Sequence, residues 1–171
     1  HISDEIKNDF KFSNEVESLC NEMFESINDG KKVIALHIRR TDYVVNNNHP
    51  VQPIEYYQNA LTFFDKTDRL IVFSDDPKWC LEQGMFSDDS IMISEGNDAD
   101  IDLCLMTKCD HNIVSHDSTF SWWAAYLNEN DNRTVVCPKY HRSFEQTEFD
   151  SQGNRLTYHK QEFYPDDWTI L

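Results

Sequence analysis

The strongest chemical signal in the chain is His37-Ile38-Arg39-Arg40-Thr41-Asp42, directly after the apolar run Val33-Ile34-Ala35-Leu36. A guanidinium stays charged at physiological pH and offers a planar fork of donors that grips a phosphate through two bonds at once. Two of them at the carboxyl end of a buried strand suggest an anion site, because ligands of open α/β sheets sit at such strand ends. Alone, the pair reads more simply as surface arginines bonded to nearby carboxylates. Two further clusters shift that balance. In Phe73-Ser74-Asp75-Asp76-Pro77 a strand again meets a helix. Its carboxylates could accept from ribose hydroxyls or the N–H edge of a base, or could simply cap a helix with Pro77 at its first position. In Val114-Ser115-His116-Asp117-Ser118-Thr119-Phe120-Ser121-Trp122-Trp123, hydroxyls open a helix where free N–H groups and the positive end of the dipole meet. That arrangement binds phosphate. Ser118 or Thr119 would donate to a phosphate oxygen, with Ser118 as a plain N-cap the competing reading. Trp122 and Trp123 are expected to lock the helix to the sheet.

Other chemistries fit less well. Asp98-Ala99-Asp100-Ile101-Asp102 has the spacing of a cation site, but Leu103 stands where a calcium loop needs its turn glycine and Cys109 where it needs its bidentate glutamate. Asp100 as a helix cap is the simpler expectation, and no metal is assigned. The histidines form no H-x-x-x-H pair for zinc, and neither G-x-G-x-x-G nor a Walker sequence occurs among only four glycines.

Alternating strands and helices must hold these clusters. Ser13 caps an amphipathic helix over 13–27, and Asp29-Gly30 ends it. Strands are predicted at 33–38, 70–73, 90–93, 112–114 and 134–137. Between them lie helices at 53–64, 77–83, 100–108 and 119–127. Such alternation implies βαβ units and a mostly parallel sheet, an α/β fold. With 171 residues the chain suits one domain. Its expected parts are a leading helix over 1–30, an α/β core over 31–138 and a tail over 139–171 that packs back through Phe163-Tyr164-Pro165-Asp166-Asp167-Trp168.

Composition narrows the partners. Fifteen basic and 31 acidic side chains give a formal charge of -16, which repels nucleic acid and anionic membranes, so an anionic ligand needs a locally basic pocket. No segment reaches the roughly 20 apolar residues of a transmembrane helix. The five cysteines, none spaced C-x-x-C, read as reduced core residues of a cytosol-like compartment. A cytoplasmic or membrane-peripheral location is expected.

The three ordered clusters resemble the GDP-fucose-binding half of glycosyltransferase family 11, the α-1,2-fucosyltransferases. The signature is His37 to Asp42, the second motif Phe73 to Pro77, and the third spans Asp100 to Leu127 with Phe120-Ser121-Trp122-Trp123-Ala124-Ala125. Thr41 stands where the family usually has glycine. Thr41 and Pro53-Ile54-Glu55-Tyr56-Tyr57 are also similar to the α-1,6-fucosyltransferases, so α-1,6 linkage stays open beside α-1,2. The resemblance implies a Rossmann-like parallel sheet flanked by helices, the C-terminal half of a GT-B transferase, facing an N-terminal domain that holds the acceptor. It implies transfer of L-fucose from GDP-fucose to a galactoside hydroxyl of an oligosaccharide, with inversion and without metal or other cofactor. Arg39 would grip the diphosphate and, with Asp42, carry catalysis. Ser118, Thr119 and the helix behind them would hold the diphosphate from the other side. His37 and Asp102 would contact guanine, and Asp75 would serve the nucleoside. Arg40 would belong to the donor pocket by bracing its loop, through Asp42.

Inversion needs a general base for the acceptor hydroxyl. Asp42 and His49 lie in or after the signature. In the α-1,6 relatives the carboxylate proposed as base falls opposite Asn47, which cannot take a proton, so another residue or another segment must serve. A pocket that binds a GDP-sugar without turnover is the alternative from a different functional class.

Overall fold

Val33–Ile38 is apolar at every position but His37, a pattern that suits a strand covered on both faces. In the computed structural model, which describes residues 2–46, 49, 51–88, 90–139, 148–149, 155–156 and 163–171, that strand is β1 at the centre of a six-stranded sheet. Its partners are β2 (Arg69–Ser74), β3 (Ile91–Ile93), β4 (His111–Ile113), β5 (Val135–Cys137) and a late strand, Thr169–Ile170. All pair in parallel, in the order β3-β2-β1-β4-β5 followed by Thr169–Ile170. A separate two-stranded ribbon, Glu148–Phe149 with Arg155–Leu156, makes these β6 and β7, and Thr169–Ile170 is β8.

The period of two along the strands sorts side chains into two layers. Ile34, Leu36, Ile38, Leu70 and Val72 face Tyr56, Tyr57 and Ala60 of α3 (Ile54–Leu61) and Cys80 of α4 (Pro77–Glu82). Val33, Ala35, Ile71 and Phe73 face Cys20 of α2 (Asn14–Ile27), and Ile101, Cys104 and Leu105 of α5 (Ala99–Lys108). Ala124 of α6 (Thr119–Leu127) joins that second layer, while Ala125 packs on Val114, Val135, Tyr164 and Trp168. This is the Rossmann-like parallel sheet flanked by helices that the motifs imply. The chain leaves β1 for β2 and β3 on one side, then returns to β4 on the other. The sheet therefore has a topological switch point between β1 and β4, where α/β proteins bind their ligands.

Some local details differ from the sequence reading. Helix α1 (Ile2–Asp9) precedes α2 unannounced. Pro53 is the N-cap of α3 rather than its first turn, and the helix stops at Leu61 because Phe63 and Phe64 donate to carbonyls three residues back, the tighter 3₁₀ bond. Asp98, not Asp100, is the N-cap residue of α5. Most of residues 140–162, and Asn47, lie outside the described residues. β4 carries two polar residues in a buried strand. They are satisfied: Asn112 donates to the Met106 carbonyl, Asn128 donates to Asn112, and the Thr134 N–H donates to His111 Nδ1. All five cysteines are buried and free.

Candidate active site at the strand ends

At the end of β1 the backbone must turn, leaving N–H groups without ladder partners. Asp75, at the end of β2, collects them. Its Oδ1 accepts from the Arg40 N–H at 2.8 Å, and its Oδ2 accepts from the Thr41 N–H at 3.1 Å and from the Thr41 hydroxyl. The same Oδ2 lies 3.2 Å from Arg39 Nη1, and Asp42 Oδ1 lies 2.8 Å from Arg39 Nη2. One carboxylate thus shapes the loop and aims its first arginine. Arg40 pairs with Asp76 at 3.2 Å, not with Asp42, and lies over the Trp79 ring at 4.0 Å. The reason is local. Asp76 is the N-cap of α4, accepting from the Trp79 N–H, so its carboxylate and the Trp79 ring form one wall for the guanidinium. Ion pairing thus accounts for both arginines at the level of structure, yet Arg39 keeps over a third of its side-chain surface open.

Across the switch point, Ser115 joins β1 to α6. Its Oγ accepts the Arg39 N–H at 3.2 Å and shares a 3.2 Å hydrogen bond with the Tyr57 hydroxyl, while its own N–H donates to Ser121 Oγ. Ser118 is the N-cap of α6, accepting from the Ser121 N–H, and Thr119 opens the helix exposed. Ser115, Asp117, Ser118, Thr119, Trp122 and His49 line a cleft of about 500 Å³, within the range of small-molecule sites. Trp122 packs on the cluster that joins α6 to Val135 and Cys137 of β5, as expected of a residue that locks the helix to the sheet. Trp122 donates its indole N–H to the Phe163 carbonyl and stacks on Tyr126, and Trp123 stacks on Phe10 at 4.2 Å, so they anchor the C-terminal segment and the chain after α1.

A sequence model of the family described as Glycosyl transferase family 11 matches residues 1–164. The chain belongs to that family. Two relatives are from Escherichia coli. An O-antigen biosynthesis glycosyltransferase, WbnK, is 33% identical over 143 residues, covering 76% of this chain and 47% of the relative. An alpha-1,2-colitosyltransferase is 33% identical over 115 residues, covering 61% and 39% respectively. The chain thus spans about half the length of the curated relatives it matches or less. Among solved structures, POFUT1 in complex with GDP superposes with a TM-score of 0.52 at 15% identity, over 74% of this chain and 47% of that one. That likeness concerns the fold, which is GT-B-like.

The two remaining candidate residues of this family 11 chain sit apart from the cleft. His37 lies on the α2/α5 face of β1, buried, its ring 5.3 Å from Phe120, and its Nδ1 has no hydrogen-bond partner among the described residues. Burial lowers its pKa to about 4; Asp75 pulls it the other way and Arg39 reinforces the lowering. His37 is therefore neutral near pH 7. The unfolded chain takes up this proton near pH 6.5 and the folded one only near 4, so stability is full above that window and is lost as pH falls through it. In His37→Gln, the drop in unfolding free energy between pH 6.5 and 4 should shrink by up to about 3 kcal/mol, measured by urea titration across that range.

Asp102 projects from the first turn of α5 and accepts from Ser94 Oγ at 2.7 Å and Asn97 Nδ2 at 3.0 Å. Burial raises its pKa, against the lowering by those two bonds. Among the described residues no three acidic, histidine or cysteine side chains group as metal ligands.

Residues without an assigned role in the sequence also enter the site. Tyr43 donates to the Asp117 carbonyl at 2.9 Å and lies under Arg39, whose guanidinium is 5.7 Å from its ring. Ser115 and Tyr57 support the Arg39 backbone. Their partners are 76 and 58 residues distant along the chain, so no local pattern signals them.

Proposed function

We propose that this chain forms the donor half of an inverting fucosyltransferase that moves L-fucose from GDP-fucose to a galactoside hydroxyl, in α-1,2 linkage. The observation that carries the reading is the joining of Arg39 to the N-terminal turn of α6 through Ser115, at the β1/β4 switch point. Negative charge builds on the diphosphate as the glycosidic bond breaks, and a guanidinium with helix N–H groups stabilises that charge in place. Family membership and the α-1,2 activity in a relative's name support the linkage.

In this reading Arg39 holds the diphosphate from one side, and Ser118, Thr119 and the α6 N–H groups from the other. Neutral His37 offers a ring nitrogen, and Asp102 a carboxylate, to the donor edge of guanine. Asp75, already engaged by four donors of its own loop, positions Arg39 and leaves the nucleoside to others. Arg40 braces the loop. The acceptor would be held by a second domain, and the reaction would run in the cytoplasm, in keeping with five thiols that form no disulfide. No helix among the described residues is long and apolar enough to cross a membrane.

Calorimetric titration with GDP and GDP-fucose tests the donor site. Both should bind, and EDTA should leave the Kd unchanged within about twofold, as expected where arginine and helix dipole replace a cation. No affinity for GDP would overturn the reading. Release of GDP that depends on a galactoside separates a transferase from a pocket that only binds the nucleotide sugar.

A further inference from the structure

The cleft contains a histidine and an aspartate that phosphate binding does not use. His49 Nδ1 lies 3.2 Å from Asp117 Oδ2. The aspartate side chain is 8% exposed and the histidine 44%, so a buried carboxylate faces the inner edge of a ring whose outer edge is open. Both residues line the cleft with Ser118 and Thr119. The ring is held further by Tyr43, stacked on it with centroids 5.1 Å apart, and Tyr43 in turn lies under Arg39. His49 is therefore one aromatic ring away from the arginine assigned to the diphosphate.

Asp117 is fixed in an unusual way. It has φ +50, the one positive φ among the described non-glycine residues, and its carbonyl accepts from Tyr43. The left-handed turn between β4 and α6 points its carboxylate back toward His49. A carboxylate at Nδ1 selects the tautomer with the proton on Nδ1, leaving the Nε2 lone pair outward. This is how an aspartate prepares a histidine to take a hydroxyl proton in hydrolytic triads.

Resting on the donor assignment above, we propose that His49 is the general base of the transfer and Asp117 its positioning residue. The acceptor hydroxyl gives its proton to His49 Nε2 as its oxygen forms the new bond to C1 of fucose. The bond from C1 to the diphosphate oxygen breaks, its electron pair leaves on GDP, and the imidazolium formed is stabilised by Asp117. Asp42, the other candidate next to the signature, has its oxygen bound to Arg39 at 2.8 Å. Taking a proton there would dismantle the ion pair that aims the arginine.

Among the described residues, the charged and titratable groups facing His49 are Asp117 and Tyr43, with His116 Nε2 beside Asp117 at 3.5 Å and Arg39 beyond Tyr43. Burial first, then the charge of Asp117, raises the Tyr43 phenol, so it stays protonated through the working range.

The test is steady-state transfer by the full-length protein from GDP-fucose to a β-galactoside, with GDP affinity measured in parallel. His49→Ala should lower kcat about 10²-fold or more while GDP affinity stays within about threefold. Added imidazole should restore part of the lost rate. His49→Gln should abolish the acidic limb of the kcat/KM profile, and Asp117→Asn should lower kcat about tenfold or more with KM little changed. His49→Ala at more than a tenth of wild-type rate, a loss that imidazole does not relieve, or an acidic limb unchanged in His49→Gln would each overturn the dyad and leave the donor site standing. A wild-type protein without GDP affinity would overturn the donor site, and the dyad with it.

Discussion

Arg39→Ala should reduce kcat for transfer from GDP-fucose by about 10² to 10³-fold and weaken GDP binding by about tenfold or more. Two effects combine. The variant removes the guanidinium that would meet the diphosphate where charge develops, and it leaves Asp75 and Asp42 as two uncompensated carboxylates next to an anionic ligand. Arg39→Lys should recover only part of the loss, because an ammonium carries the charge without the planar fork. Arg40→Ala supplies the contrast. Its guanidinium is engaged by Asp76 and by the Trp79 ring, with less than a fifth of the side chain exposed, so its removal should lower thermal stability and cost at most about tenfold in kcat. Calorimetry and initial rates on the three variants distinguish the roles. Equal losses for Arg39→Ala and Arg40→Ala would mean that both arginines serve only to hold the loop.

Asp75→Ala should be the most damaging change to the loop itself. It removes the acceptor for two backbone N–H groups and one hydroxyl, and half of the ion pairing of Arg39. With donors left unsatisfied in a half-buried turn, unfolding free energy should fall by about 2 to 4 kcal/mol. GDP affinity should fall as well, since Arg39 is no longer aimed. Asp75→Asn keeps one oxygen but turns an N–H toward other donors, so it should lie between wild type and alanine. Urea midpoints with GDP titrations provide the check. A stable Asp75→Ala protein that retains wild-type GDP affinity would show that the loop holds its shape without this clamp.

Much of the architecture was legible because it depends on local pattern. The apolar strand Val33–Ile38, the N-cap Ser13 and the Asp76-Pro77 start of α4 each act through neighbours in sequence, where periodicity and capping rules apply. β8 escaped, since Thr169 and Ile170 are a two-residue strand that exists only because β5 offers an open edge. Helix α1 escaped similarly: its eight residues have a negative mean hydropathy, and a helix that short carries little signal of its own. Trp122 packs toward the sheet as expected, but its hydrogen bond to Phe163 and the stacking of Trp123 on Phe10 involve segments whose return to α6 no local pattern announces.

The sequence by itself determined the α/β class, the placing of three polar clusters at strand ends and the family signature, because residue type and short spacing specify those. Only the tertiary structure decided which charges meet. Arg40 faces Asp76 instead of Asp42, Asp75 closes the β1 loop from 35 residues away, and Asp117 meets His49 from 68 residues away. Hydrogen bonds and close ion pairs form only between groups a few ångströms apart. The chemistry of the cleft therefore depends on the parallel order β2-β1-β4, which brings the ends of distant strands side by side.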